Sequence, residues 1–178
     1  DLGTYTDAER MLADVQPDGF CFATRPTIRL PLVKLGIAHN VKAIAYEKPM
    51  ALSLEEGWEI TRLLEESNTK AIVAHIHKYG GYFQQARACV AGGRIGEIER
   101  LHATCRGWFT GMATHMIDSM IFMMGGGRVA EVSAYGHGVT QMEKSRDNAS
   151  PDYTVANLLF DNGLRGFLDC GERARPFH

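Results

Sequence analysis

Three short apolar runs, Phe20 to Ala23, Val41 to Tyr46 and Ala71 to Ile76, alternate with helix-length segments. A parallel strand can be reached only through a crossover of a dozen or more residues, so this alternation predicts a parallel sheet with crossover helices. It constrains the first 76 residues more tightly than any other feature. Thr6-Asp7-Ala8-Glu9 has capping-box spacing and predicts a helix over Arg10 to Val15. A second helix begins near Thr27, with Pro31 tolerated in its first turn, and ends near Gly36 to Asn40. Ser53-Leu54-Glu55-Glu56 opens a third, running to about Ser67 with Leu54, Trp58, Thr61 and Leu64 on one stripe.

Beyond residue 76 the pattern changes. Tyr82 to Val90 predicts a helix closed by Gly92-Gly93, followed by a strand over Ile98 to Arg106. On that strand Leu101, Ala103 and Cys105 alternate with His102, Thr104 and Arg106, giving one apolar and one polar face. Thr114 to Met124 predicts a Met-rich helix stopped by Gly125-Gly126-Gly127. Strands follow over Val129 to Tyr135, Tyr153 to Phe160 and Leu164 to Cys170, the last two flanking the hairpin signal Asp161-Asn162-Gly163. Gln141 to Ser150 is polar and is expected to be an exposed loop. The chain therefore divides into an α/β part, 1–76, and an α+β part with a largely antiparallel sheet, 77–178.

The net charge of −2 and the absence of a Lys/Arg block argue against nucleic acid or an anionic membrane as partner. No apolar stretch is long enough to span a bilayer. Cys21, Cys89, Cys105 and Cys170 are far apart in sequence and form no C-x-x-C. They are expected to be reduced, buried thiols in a reducing, cytoplasmic setting, and neither a disulfide frame nor a zinc site. Asp1 is not an initiator Met and no signal peptide follows it, so the expectation is a piece of a longer protein.

Chemistry concentrates in two places. The run Val41 to Tyr46 ends in Glu47-Lys48-Pro49, and the carboxyl ends of strands in open α/β sheets face the ligand crevice. The same tripeptide also suits a plain strand-end turn with a surface ion pair. In Thr114-His115-Met116-Ile117-Asp118, histidine and aspartate stand at i and i+3, neighbours on a helix. A hydrogen-bonded core histidine is the competing reading, and Met112, Met116, Met120, Met123 and Met124 read as core filler. His75-x-His77 raises a metal, but no third or fourth ligand is placed to complete a site, so none is expected.

Together these pieces resemble the Gfo/Idh/MocA oxidoreductases, which include glucose–fructose oxidoreductase and inositol dehydrogenase. Phe22-Ala23-Thr24 is similar to the family's "ATP" strand end, Glu47-Lys48-Pro49-Met50-Ala51 to its signature, and Gly93-Arg94-Ile95-Gly96-Glu97-Ile98 to its "GxIGxI" turn. His115-Met116-Ile117-Asp118 resembles its "HxxD" helix and Phe160-Asp161-Asn162-Gly163 its "F-x-N-G" hairpin. The resemblance implies the C-terminal part of a Rossmann-like sheet followed by the α+β domain, with NAD or NADP as cofactor. It implies that Thr24, Glu47 and Lys48 contact the cofactor and that Lys48 and His115 catalyse hydride transfer with a sugar or polyol. By the same likeness His77, Lys78 and Tyr79 contact substrate, Asp118 supports His115, and the antiparallel sheet joins subunits into a homo-oligomer. Two departures stand out. No G-x-G-x-x-G phosphate loop precedes Thr4, so the isolated piece is expected to bind dinucleotide poorly, and Gly111 occupies the place of a common Asp. An NAD-dependent glycosidase and a non-catalytic nucleotide or sugar binder remain the alternatives.

Overall fold

A computed structural model describes residues 3–138, 150–172 and 174. The described elements fall into two compact units, 1–74 and 75–178. In the first, α1 (Ala8–Val15), β1 (Gly19–Phe22), α2 (Arg29–Ala38), β2 (Ala43–Glu47), α3 (Leu54–Ser67) and β3 (Lys70–Ala74) alternate as expected. All three strands are parallel, in the order β1-β2-β3, with Phe20 opposite Ile44 and Ile44 opposite Ala71. Leu12, Phe20, Val33, Val41, Ile44, Tyr46 and Ile60 form the core. At Gly36 an added Cβ would stand 3.0 Å from Ile44 and 3.2 Å from Phe20, so glycine is what lets α2 lie this close to the sheet.

Local chemistry sets the helix starts. Asp7, rather than Thr6, caps α1, its carboxylate accepting from the Arg10 N–H at 2.7 Å. The Ser53 hydroxyl accepts from the Glu56 N–H at the start of α3. A 3₁₀ turn over Pro26–Ile28 precedes α2, which delays that helix to Arg29. Only half of the stripe expected on α3 lies on its packing face. Leu54 and Trp58 are exposed, whereas Ile60 is fully buried with Thr61 and Leu64 half-buried beside it. The i, i+3, i+4 spacing through Gly57, Ile60, Thr61 and Leu64 faces the sheet, while Leu54 in the first turn and Trp58 on the flank stay exposed.

The second unit opens with a 3₁₀ turn, Ile76–Tyr79, so His75 and His77 lie on a turn and not on the strand that was expected to reach Ile76. Then follow α4 (Gly81–Ala91), β4 (Arg100–Cys105), α5 (Phe109–Met124), β5 (Val129–His137), β6 (Tyr153–Phe160) and β7 (Arg165–Gly171). The sheet order is β4-β7-β6-β5. The two hairpin-side pairs are antiparallel, and the first strand returns to lie parallel beside the last. Helix α5 covers one face through a core of Cys105, Ala113, Met120, Ala156, Leu158, Phe160, Leu168 and Cys170. Within the predicted loop Gln141 to Ser150, residues 141–149 lie outside the described part, as do Arg173 and residues 175–178.

Helix α5 starts five residues before the expected Thr114. Its first turn has no side-chain cap of its own. Instead the Thr110 N–H donates to the Ser150 hydroxyl at 3.3 Å, a partner forty positions away that no local pattern reveals. His115 consequently sits in the body of the helix, and Gly111 is buried within it.

Candidate active site

The tips of β1 and β2 are built around a residue that the sequence did not mark as functional. Arg29, at the first position of α2, is 1% exposed. One of its terminal nitrogens donates to the Thr24 carbonyl at 3.1 Å and to the Lys48 carbonyl at 3.0 Å. Its Cζ lies 5.9 Å from the centre of the Tyr46 ring, within cation–π range. Burial pulls the guanidinium below the usual arginine range, against the opposing effect of Glu47, Tyr46 and Glu56. Burial likewise pushes the Tyr46 phenol up, with Arg29 acting against it. Only its position five residues after Thr24, at the head of an apolar helix, hinted at this role.

Thr24 and Lys48 are thereby held at the ends of neighbouring parallel strands, with Glu47, Lys48 and Thr24 all half-buried. The Thr24 hydroxyl donates to the Arg25 carbonyl at 3.2 Å. A hydroxyl, a carboxylate and an ammonium at two strand tips match the hydroxyls and carboxamide of a ribosyl-nicotinamide. They do not match a pyrophosphate, which calls for convergent backbone N–H groups at a glycine-rich helix start. A concavity of about 540 Å³ beside Met50, Leu64 and Val73 contains none of the three.

In the second unit the 3₁₀ turn and α5 bring three histidines together. The His77 ring stacks on that of His115, centres 4.2 Å apart and planes 17° from parallel. On its other contact His77 stacks with Phe83 of α4, centres 5.7 Å apart. His75 meets His115 edge-on at 5.5 Å. His115 is only 7% exposed. Parallel stacking presents ring faces, not lone pairs, to one another, and no group of His, Cys, Asp and Glu suited to a metal occurs among the described residues.

Lys78 and Asp118 form an ion pair at 2.9 Å, their side chains 26% and 19% exposed. Asp118 thus ties α5 to the 3₁₀ turn as well as lying one turn from His115. The Tyr79 ring is exposed and lies 5.7 Å from the Lys78 ammonium. Of the expected residues, Thr24, Glu47 and Lys48 gather in the first unit, and His77, Lys78, Tyr79, His115 and Asp118 in the second.

Residues 1–75 match the family described as "Oxidoreductase family, NAD-binding Rossmann fold", the Gfo/Idh/MocA group. That segment is similar to the Gfo/Idh/MocA oxidoreductases. It is 24% identical over 183 residues to the uncharacterized oxidoreductase YrbE of Bacillus subtilis (strain 168), covering 95% of this chain and 53% of that protein. Over 78 residues it is 33% identical to 2,7-anhydro-N-acetylneuraminate hydratase of Escherichia coli (strain K12), which is 44% of this chain and 20% of the hydratase. The fold, including the mixed sheet of the second unit, matches an oxidoreductase from Agrobacterium radiobacter solved with NAD+, L-tartaric acid and magnesium. That match has a TM-score of 0.76 at 21% identity and covers 98% of this chain and 54% of the other. The chain spans about half the length of such relatives. The strand tips that Arg29 ties together lie within the segment matched by that NAD-binding family.

The cysteines depart from expectation. All four are free, but Cys21 is exposed and Cys89 only half-buried, while Cys105 and Cys170 are buried side by side. No described helix is long and apolar enough to cross a membrane.

Proposed function

We propose that the chain is part of an NAD(P)-dependent oxidoreductase acting on the carbinol carbon of a sugar, polyol or related compound. The observation that carries this reading is the tip of β2, where Lys48 follows Glu47 in the NAD-binding segment with its backbone anchored by Arg29. Thr24 and Glu47 contact the ribose and nicotinamide. When bound, the nicotinamide supplies the hydride donor or acceptor. Lys48 holds an ammonium against negative charge developing on the substrate oxygen, which is preorganised electrostatic stabilisation. His115 takes or returns the hydroxyl proton, a task suited to imidazole. Stacking on His77 limits the swing of that ring. His77, Lys78 and Tyr79 contact the substrate's remaining hydroxyls, with Asp118 fixing Lys78.

Assembly into a homo-oligomer would use the sheet face opposite α5. That face carries His102 stacked on Phe167, with Tyr135, Val155 and Leu159 nearby, and sedimentation of the full-length protein tests it.

Full-length protein incubated with NAD+ or NADP+ and a panel of sugars, polyols and hydroxy acids should form reduced nicotinamide with at least one member. The likeness to a hydratase over 78 residues favours one second reading, sugar chemistry without net oxidation, in which product accumulates and reduced nicotinamide does not. An NAD-dependent glycosidase would give that same pattern. Cofactor binding with no product from any compound would leave a binding or regulatory role.

A further inference from the structure

We infer that Cys105 and Cys170 form a site of reversible disulfide formation that links the carboxyl ends of β4 and β7 beneath α5. The two residues face each other in the parallel ladder, Cys105 opposite Cys170, and their sulfurs are 3.0 Å apart. Neighbouring strands lie roughly 4.7–4.9 Å apart, inside the Cα separation of about 4.4–6.8 Å that disulfides tolerate. Bond formation therefore asks for a small side-chain rotation and no change of register. Both thiols belong to the apolar core with Ala113, Met120 and Leu168, and Cys170 also makes a long contact to the Gly107 carbonyl.

The two sulfurs are not equivalent. Cys170 is fully buried, whereas Cys105 keeps 7% of its surface. Hydrogen bonding from Cys170 holds the Cys105 thiol below the usual cysteine range, and the same contact pushes Cys170 up. Cys105 is thus both the first thiolate and the reachable one. A hydroperoxide is small enough to reach it. The Cys105 thiolate attacks one peroxide oxygen, the O–O bond breaks, and the departing hydroxide takes a proton to become water (or an alcohol). The resulting Cys105 sulfenic acid is attacked by the Cys170 sulfur. The S–O bond breaks, the Cys170 proton leaves with the hydroxyl as a second water, and the S–S bond forms. The sulfurs lose two electrons and the peroxide gains them. A dithiol reductant reverses the link.

The test uses the complete chain carrying C21S and C89S, which removes the two more accessible thiols. Folded protein is exposed to hydrogen peroxide, quenched with catalase, unfolded and alkylated, and its intact mass is measured. The expected result is the loss of two hydrogen masses and of both alkylation sites, restored by dithiothreitol. Adding C170S should leave a sulfenic acid on Cys105 that dimedone traps. Two alkylated thiols after peroxide, or added oxygen at either sulfur without the link, would overturn the proposal. Should the C170S variant fail to fold, the intact mass of the C21S/C89S chain decides alone.

Discussion

The imidazole of His77 lies parallel to that of His115, 4.2 Å away, although the residues are separated by α4 and β4 in the chain. Stacked aromatic pairs contribute about 0.5–1.5 kcal/mol beyond the area they bury, and a planar replacement preserves most of that. His77→Phe is therefore expected to hold the melting temperature within a few degrees of the parent. His77→Ala should lower stability by about 1–3 kcal/mol, measured by chemical denaturation.

Removing the proposed acid–base group should act on chemistry rather than on cofactor affinity. In the full-length enzyme His115→Asn is expected to lower kcat by about 10²–10⁴-fold, the usual range for general acid–base catalysis. Lys48→Met should lower kcat by about 10²–10³-fold through loss of a stabilising charge. Dinucleotide affinity, measured calorimetrically, should survive in both variants. Near-parental turnover in the pair would remove the assignment.

Arg29 should behave as a structural keystone of the cofactor end. Arg29→Met leaves the Thr24 and Lys48 carbonyls without their shared donor, and unpaired buried groups cost about 1–3 kcal/mol each. Unfolding in urea should fall by roughly that amount or more. Hydrogen exchange should speed up at both strand tips, and an unchanged exchange pattern would contradict the tie.

The corrected face of α3 gives a clean contrast. Ile60→Ala is expected to cost about 2–5 kcal/mol, as large-to-small changes in a closed core do. Trp58→Ala removes a larger side chain yet should stay within about 0.5 kcal/mol, since the ring is 66% exposed.

The half-buried ion pair Lys78–Asp118 predicts a smaller loss. Asp118→Asn keeps the shape but removes the charge, and a charged hydrogen bond is worth about 1.5–3 kcal/mol. Partial exposure places the expected cost at the lower end of that range, and equilibrium denaturation measures it.

Features written in neighbouring residues were legible in the sequence. The Thr6-Asp7-Ala8-Glu9 run and Ser53 announce their helices because a cap is a local bond, although Asp7 makes the first bond in place of Thr6, and Asp161-Asn162-Gly163 announces its hairpin because only certain residues turn so tightly. Features that depend on distant partners were not. The start of α5 is satisfied by Ser150, the burial of Arg29 by two separate strand tips, and the histidine stack by a turn and a helix far apart in the chain. Leu54 and Trp58 misled because hydrophobicity does not say which side of a helix meets a sheet. Lys48 and His115 were each picked out by local motifs, and what surrounds each of them was not.

The parallel pairing of β4 with β7 also sets a timetable for synthesis. A ribosome releases β4 and α5 well before it makes β7, the strand that sits beside one and beneath the other. Until then the oily side of α5 has only half a floor, and its methionines must wait exposed or be shielded by a chaperone. Truncations that end before residue 165 should therefore emerge as sticky, protease-prone products rather than as a smaller folded body.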